Sequence, residues 1–393
     1  MRHLEHAERD LLVQLSSIDG AEVGLFEVTA VQLEKSIIDA NFSIRTTFAA
    51  TGFHHYALQP QGDKVVAELS LLTANGMVET KVSLYRPNTK AGDPRLWIYG
   101  LDSLCPETRP QDIVAIVQDG DTCAALNLSY LVRSGTGTDA VDPLFTRSTS
   151  APSGVATALL DRLREVAGTG PVLTTKTGDT AVGFAIETAL GISANSRKTP
   201  DFHGIEIKSG RSLRGDKNKT LFARMFDKEK SPVGSYAGLL ERCGYFKDDG
   251  LKYLQCSVVG SAANPQGLVL SVDYEEGILN EYWDGPEGTE RVAIWELEVL
   301  RNALAEKHNE TFWVEATEVQ TPHGKGFSLK KVLHTSSPRL SAFSLFLSDG
   351  TVFVDHTIRQ KPEGGTRDHG MLFRTKAKNL DRLFKVEGEY ALV

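Results

Sequence analysis

Cys105, Cys123, Cys243 and Cys256 are the only cysteines among 393 residues, and no Cys-x-x-Cys or histidine at zinc-ligand spacing accompanies them. Neither a disulfide framework nor a structural zinc site is therefore expected, and the four read as reduced, mostly buried small apolar residues. No segment approaches the ~18 uninterrupted apolar residues of a membrane helix, and the N-terminal run MRHLEHAERDLLVQL carries charges where a signal peptide needs apolar residues. The expectation is a soluble chain with no membrane partner, working in the cytoplasm. Also missing are a Gly-Lys-Ser/Thr phosphate loop, a Gly-x-Ser-x-Gly elbow and a His-Glu-x-x-His pair, which leaves ATP-driven translocation, serine hydrolysis and zinc proteolysis without support. Positive charge is short as well: 43 Lys+Arg stand against 51 Asp+Glu, a net of −8. Taken over the whole chain, that balance argues against a phosphate-rich partner, which must be held by Lys and Arg.

What is present is ordinary globular composition, 41% hydrophobic and 24% charged, over a length that suggests about two domains. Up to about residue 132 the chain reads as short strand-like runs broken by turn residues: FSIRTTFAA, HHYALQP, KVVAELSLL, ETKVSLYRP, PRLWIYGL and DIVAIVQDG. This spacing predicts an all-β barrel or sandwich. Residues 133–154 (RSGTGTDAVDPLFTRSTSAPSG) have linker composition. Beyond them VATALLDRLREVAG has apolar residues at helical spacing, and helices and strands mix to the C-terminus. The expected organisation is a domain over 1–132, a linker over 133–154 and an α/β domain over 155–393.

This division redistributes the charge. Residues 1–150 carry a net of −7 and the remainder −1. Within the remainder, Arg197–Lys230 holds ten basic and five acidic residues, and His356–Lys385 eight and three. Chance clustering on solvated faces is the bland reading of such windows. In the first of them, however, the chain reads TPDFHGIEIKSGRS. Period-two alternation sends Ile205 and Ile207 into a core and points Glu206 and Lys208 together from the opposite face, about 6–7 Å apart along a strand. Asp201 would join them from a turn made by Pro200 and Gly204. Two acids can hold a hard divalent cation with a nearby backbone carbonyl, and an ammonium can position or activate an attacking water and offset developing charge, the requirements of phosphodiester hydrolysis. A lone Glu-x-Lys means little: Glu79-Thr80-Lys81 has the same form, lacks the upstream acid and reads as an ordinary strand face.

The run GDTAVGFAIETALGISANSRKTPDFHGIEIKS, residues 178–209, resembles the catalytic core of the MvaI/BcnI restriction endonucleases and, more distantly, the mismatch-repair nicking nuclease MutH, all of them PD-(D/E)-x-K nucleases. The resemblance implies metal-binding acids at Asp201 and Glu206, a catalytic lysine at Lys208, an accessory helix carboxylate at Glu187, and Mg²⁺ as cofactor. From the residues alone, Val182, Ile186 and Ala189 form the helix's apolar stripe and Glu187 lies off it, so an exposed helical glutamate remains the alternative. In the second basic window VFVDHTIRQKPEGGTRDHGMLFR reads as a β-hairpin turning at residues 362–365, with Asp355, Thr357 and Arg359 on one face. A two-stranded ribbon fits the DNA major groove. The segment is also similar to the base-reading C-terminal region of the MvaI/BcnI family, which implies Asp355, Arg359, His369 and Arg374 as base readers. Surface charges or hairpin-stabilising pairs are the plainer alternative. Arg211, Arg214, Lys217 and Lys219 follow the active strand and are candidates for phosphate contacts.

In the first domain, ATGFHHYALQP and SLYRPNTKAGDPRLWIYGL resemble the N-terminal effector domain of the EcoRII restriction enzymes, a pseudobarrel that grips DNA with two arms. The resemblance places His54 in one arm and Arg86, Asn88, Lys90, Asp93 and Arg95 in the other, with Leu58-Gln59 where an aromatic is expected. The alternative is a polar hairpin turn shaped by Pro87, Gly92 and Pro94. Together the two resemblances imply a type IIE restriction endonuclease. It would be an Mg²⁺-dependent, monomeric enzyme binding double-stranded DNA at one CCWGG-like site per domain, with cleavage stimulated through the effector domain and a methyltransferase as companion. A MutH-like strand-nicking repair nuclease and a DNA-binding regulator with an inactive nuclease fold are the competing readings.

Overall fold

The structure, a computed structural model, describes residues 1–18, 21–89, 91–119, 122–136, 154–178, 181–192, 200–368 and 370–393. The chain divides into two compact units: Met1–Ser148 with Val272–Leu279 and Ser341–Leu345, and Thr149–Ser271 with Asn280–Leu340 and Phe346–Val393. Two short stretches from the later part of the chain thus count with the first unit.

The first unit runs α1 (His6–Leu15), β1 (Glu22–Glu27), α2 (Ala30–Lys35), β2 (Ile38–Asp39), α3 (Phe42–Thr51), β3 (Lys64–Thr73), β4 (Gly76–Tyr85), β5 (Arg95–Ile98), β6 (Ile113–Asp119), β7 (Thr122–Asn127) and α4 (Leu128–Ser134). Its strands form one seven-stranded sheet in the order β1-β6-β7-β3-β4-β5-β2. β6 is apolar on both faces, and strand alternation divides it between two cores. Ile113, Ala115 and Val117 pack with Leu12, Leu15, Val23 and Leu25, whereas Val114 and Ile116 pack with Phe26, Ile44, Phe48 and Leu84. The unit is rich in strand but not all-β. FSIRTTFAA, expected as a strand, is the helix α3: the Asn41 side chain caps it by accepting from Ile44 N at 3.0 Å, Gly52 ends it in the left-handed region, and Ile44, Thr47 and Phe48 are buried at helical spacing. HHYALQP is not a strand either; the turn bonds Leu58 N to His55 O and Gln59 N to Tyr56 O make it a loop.

The second unit takes α5 (Gly154–Gly168), β8 (Val172–Leu173), α6 (Ala181–Ala189), β9 (Glu206–Gly210), β10 (Asn218–Ala223), α7 (Tyr236–Cys243), β11 (Tyr245–Phe246), β12 (Lys252–Val258), β13 (Leu268–Asp273), β14 (Ile278–Gly285), β15 (Gly288–Glu296), α8 (Leu297–His308), β16 (Glu310–Thr321), β17 (Gly324–Pro338), α9 (Phe343–Ser348), β18 (Val352–Gln360), β19 (Thr366–Arg367), β20 (Leu372–Lys376), α10 (Leu380–Leu383) and β21 (Phe384–Ala391), with the ends of β13, β14 and α9 reaching into the first unit's segments. One sheet has the order β21-β17-β16-β9, with β8 on β17; another runs β10-β20-β18-β12-β11, with β19 on β18; β13, β14 and β15 form a third. β9 is the edge strand of the first and lies parallel to β16, Glu206 beside Thr311 and Lys208 beside Trp313. α5 and α6 cover that sheet: Leu159, Leu163, Ala181, Ala185 and Ile186 share a core with Ile205, Ile207, Phe312 and Val314. The α6 stripe is therefore Ala181, Val182, Ala185 and Ile186, and Ala189, expected on it, is exposed.

Candidate active site

The course of β9 and of the turn before it follows from local sequence. His203 and Gly204 both take positive φ, 46° and 97°, and Phe202 and Ile205 exchange backbone hydrogen bonds across them at 2.9 and 2.8 Å. This is the two-residue turn that reverses a chain tightly, and glycine is suited to its second place. The turn sets Asp201 beside the following strand, where its Oδ2 accepts from Ile207 N at 3.1 Å. Ile205 is 0% and Ile207 6% exposed, both in the core. On the other face the Lys208 ammonium stands 2.5 Å from Glu206 Oε1.

Two neighbours complete this face. Lys307, in the last turn of α8, places Nζ 2.8 Å from Glu206 Oε2, so the buried Glu206 carboxylate lies between two ammonium groups. Glu187 is half-buried rather than exposed, with Oε1 near Gly183. Burial first, then the Asp201 and Glu206 carboxylates, hold its carboxyl above the usual range against the opposing pull of Lys208. His308, fully buried and stacked on Trp313, is bound between Thr311 Oγ1 at 2.9 Å and Leu221 O at 2.8 Å. Burial pushes its pKa down to about 3, so it is neutral scaffold.

Among the described residues no three His, Cys, Asp or Glu side chains stand close enough to ligate one ion as placed. The chemistry of the donors nevertheless fits a hard divalent cation. Asp201, Glu206 and Glu187 offer only oxygen, and their mutual repulsion, visible at Glu187, is the kind that such a cation relieves.

Beside the strand lies a cleft of about 780 Å³ lined by the cations Lys208, Arg211, Lys217, Lys219, Arg374 and Lys376. Among its described lining residues the one acid is Asp216, which pairs with Lys378 at 2.8 Å. Arg211 pairs with Glu318 at 3.0 Å and Arg214 with Glu389 at 3.5 Å, while Lys217 is exposed.

The C-terminal segment departs from a free ribbon. β18 is interior to its sheet, with β12 on one side and β20 and β19 on the other, and residues 352–356 are buried. Asp355 accepts from Ser257 Oγ and pairs with Arg374 Nη1 at 2.6 Å, and Arg374 Nε donates to Thr220 Oγ1 at 3.1 Å. Arg359 is exposed beyond them, and His369 lies outside the described residues.

In the first unit the two arm segments are tied together. Arg86 donates through Nε to Gly92 O at 2.8 Å and through Nη1 to Gln59 O at 3.1 Å, so its guanidinium latches loop to loop. His54 Nε2 meets Gln59 Oε1 at 3.1 Å, and Arg95 pairs with Asp39 at 3.3 Å. Asn88 and Asp93 are exposed, Lys90 lies outside the described residues, and Leu58 at the loop apex is 80% exposed.

Sequence reasoning missed Lys307, because a lysine at a helix end a hundred residues downstream carries no local signal. It underrated Glu187, whose environment is created by β9 rather than by its own helix.

A search of curated proteins finds no match. Among solved structures, the restriction endonuclease MvaI in complex with cognate DNA matches with a TM-score of 0.54 at 20% identity, over 62% of this chain and 100% of that one, a likeness of fold. MvaI without DNA matches at 0.40 with the same identity and coverage. The MvaI/BcnI restriction endonuclease family profile matches residues 160–384, more than half of the chain, including β9 and the sheet of β18 and β20. The chain belongs to the MvaI/BcnI restriction endonuclease family and is a site-specific deoxyribonuclease.

Proposed function

We propose that the chain is a type IIE enzyme of the UbaLAI kind, in which the second unit hydrolyses both strands of double-stranded DNA at a CCWGG-like site and the first, EcoRII-like unit binds a further copy that stimulates cleavage. The observation that carries the reading is the Glu206/Lys208 face, with Asp201 and Glu187 beside it, at the edge of a basic cleft. The MvaI structure's cognate DNA supports DNA as the cleft's occupant. Asp201 and Glu206 would hold Mg²⁺, which supplies positive charge against the negative charge that develops on the phosphate. Lys208 orients the attacking water and adds a fixed ammonium at the reacting phosphate. Water adds to phosphorus, the ester bond to one sugar oxygen breaks, and that oxygen leaves with a proton. The cleft's remaining cations bind neighbouring phosphates and set the position of the duplex. In the first unit Asn88, Asp93 and His54 would face DNA, with Arg86 holding the arms in register. The enzyme would act as a monomer, cutting the strands in turn, with a methyltransferase protecting host sites.

The test is a digest of a plasmid carrying CCWGG sites in Mg²⁺, with the ends sequenced, with and without an added oligonucleotide bearing the site. Linear product at one defined position, formed faster with the oligonucleotide, is the expected result. Persistent nicks would favour the MutH-like reading, binding without cutting would favour a regulator, and indifference to the oligonucleotide would remove the effector role.

A further inference from the structure

Residues 206, 208 and 210 project from one face of β9, successive positions being about 6–7 Å apart. Glu206 and Lys208 fill the first two places with a carboxylate and an ammonium. The third residue is Gly210, which has no side chain, and another residue's head group occupies its place: a Cβ on Gly210 would meet Lys219 Nζ at 2.6 Å. Lys219 arrives from β10 and is 8% exposed. Among the described residues no ion pair or hydrogen bond reaches its ammonium, and Glu315 acts on it only through its longer-range field. Four other basic groups around the cleft are compensated, Arg211 by Glu318, Arg214 by Glu389, Arg374 by Asp355 and Lys378 by Asp216, while Lys217 is exposed to water and Lys376 donates to Asn218 Oδ1 at 2.6 Å. A buried ammonium without a counter-ion is an arrangement that an entering anion completes. Burial pushes the Lys219 pKa down to about 8, so the group is still charged at neutral pH.

We propose that Lys219 is a phosphate-contacting residue of the nuclease site, held over Gly210 as the third member of the Glu206/Lys208 face, where it takes the phosphodiester next to the one attacked. This rests on the nuclease reading above. The glycine is integral to the subsite, since a side chain at 210 would displace the lysine head. As a point charge, the lysine grips the backbone without reading bases.

The test uses the full-length protein and a cognate duplex, with Ca²⁺ in place of Mg²⁺ for binding and Mg²⁺ for single-turnover cleavage. Lys219→Met is expected to lower the slope of log Kd against log salt by about 0.9 and to weaken cognate and unrelated duplexes alike. Lys219→Arg keeps the slope, and Gly210→Ala reproduces the loss with the lysine still present. A methylphosphonate beside the scissile phosphate should slow wild-type cleavage and leave Lys219→Met indifferent. Calorimetry at pH 8 in two buffers of different ionisation enthalpy should show proton uptake on binding by the wild type and none by Lys219→Met. A folded Lys219→Met protein with wild-type salt slope, proton uptake and methylphosphonate sensitivity would overturn the proposal and leave the nuclease reading standing. A wild type that neither binds nor cuts DNA would remove both.

Discussion

Lys208 and Lys307 hold one buried carboxylate, Glu206, from two sides. If Lys208 serves the reacting phosphate as proposed, Lys208→Ala should lower cleavage by at least on the order of 10²–10³-fold with DNA affinity retained. Single-turnover cleavage beside a Ca²⁺ binding titration checks this, and sustained cutting would remove the assigned role. Lys219 makes a prediction about stability instead. Its pKa is lowered on folding, so the folded state carries the full cost of the buried ammonium below about pH 8. That cost shrinks as pH rises from there toward the unfolded value near 10.4 and is absent above it. Lys219→Met should accordingly stabilise the protein at pH 7, by up to about 3 kcal/mol, and the difference should narrow between pH 8 and 10. Denaturant unfolding at several pH values measures it. A residue that binds better than it folds is the usual trade between activity and stability.

Among elements, β18 and β20 show why a ribbon read from sequence can become interior sheet. The alternation in VFVDHTIRQ is real, with Asp355, Thr357 and Arg359 opposite Ser257, Gln255 and Tyr253. Nothing local reveals that β12, a hundred residues earlier, closes the other edge. The Asp355–Arg374 pair fastens β18 to β20, with side chains 11% and 26% exposed. Arg374→Met strands the acid and should cost about 3–5 kcal/mol, and adding Asp355→Asn should recover part of that. Equilibrium unfolding of both single variants and the double variant closes the cycle. β9 was legible in the sequence because what makes it is local: a turn before it, read from Pro200 and Gly204 and formed by His203 and Gly204, the isoleucine alternation and the Glu-x-Lys spacing. α3 was misread because FSIRTTFAA satisfies both periods, and its true markers, Asn41 before and Gly52 after, lie just outside the run. Lys307 reaches Glu206 from α8, so only the topology discloses it, whereas Lys219 is a candidate from its place after the strand and only its seat over Gly210 needs the structure.

At the scale of the whole molecule, the net charge of −8 and the cationic cleft coexist because the first 150 residues, poor in Lys and Arg, carry −7 of it, while lysines and arginines collect beside β9 and β20. Affinity should depend on sequence more than on bulk charge, and a cognate duplex should outcompete an unrelated one at physiological salt; equal binding would contradict this. The first unit includes residues 272–279 and 341–345 as well as the N-terminal chain. Tyr274 O receives Phe42 N at 3.3 Å, Ser341 Oγ receives Val23 N at 2.9 Å, Gly277 is pressed so closely on the Phe42 ring that a Cβ would overlap it, and Leu345 sits in the core with Leu12 and Val23. A fragment ending at residue 148 would lack all of these and should unfold at lower temperature than the same unit in the intact chain, which a melting comparison tests. Such a unit is not a cassette: a recombination joint at the Ser/Thr/Gly-rich stretch would transplant it incomplete, so exchanging it between related chains would require moving three pieces of chain at once.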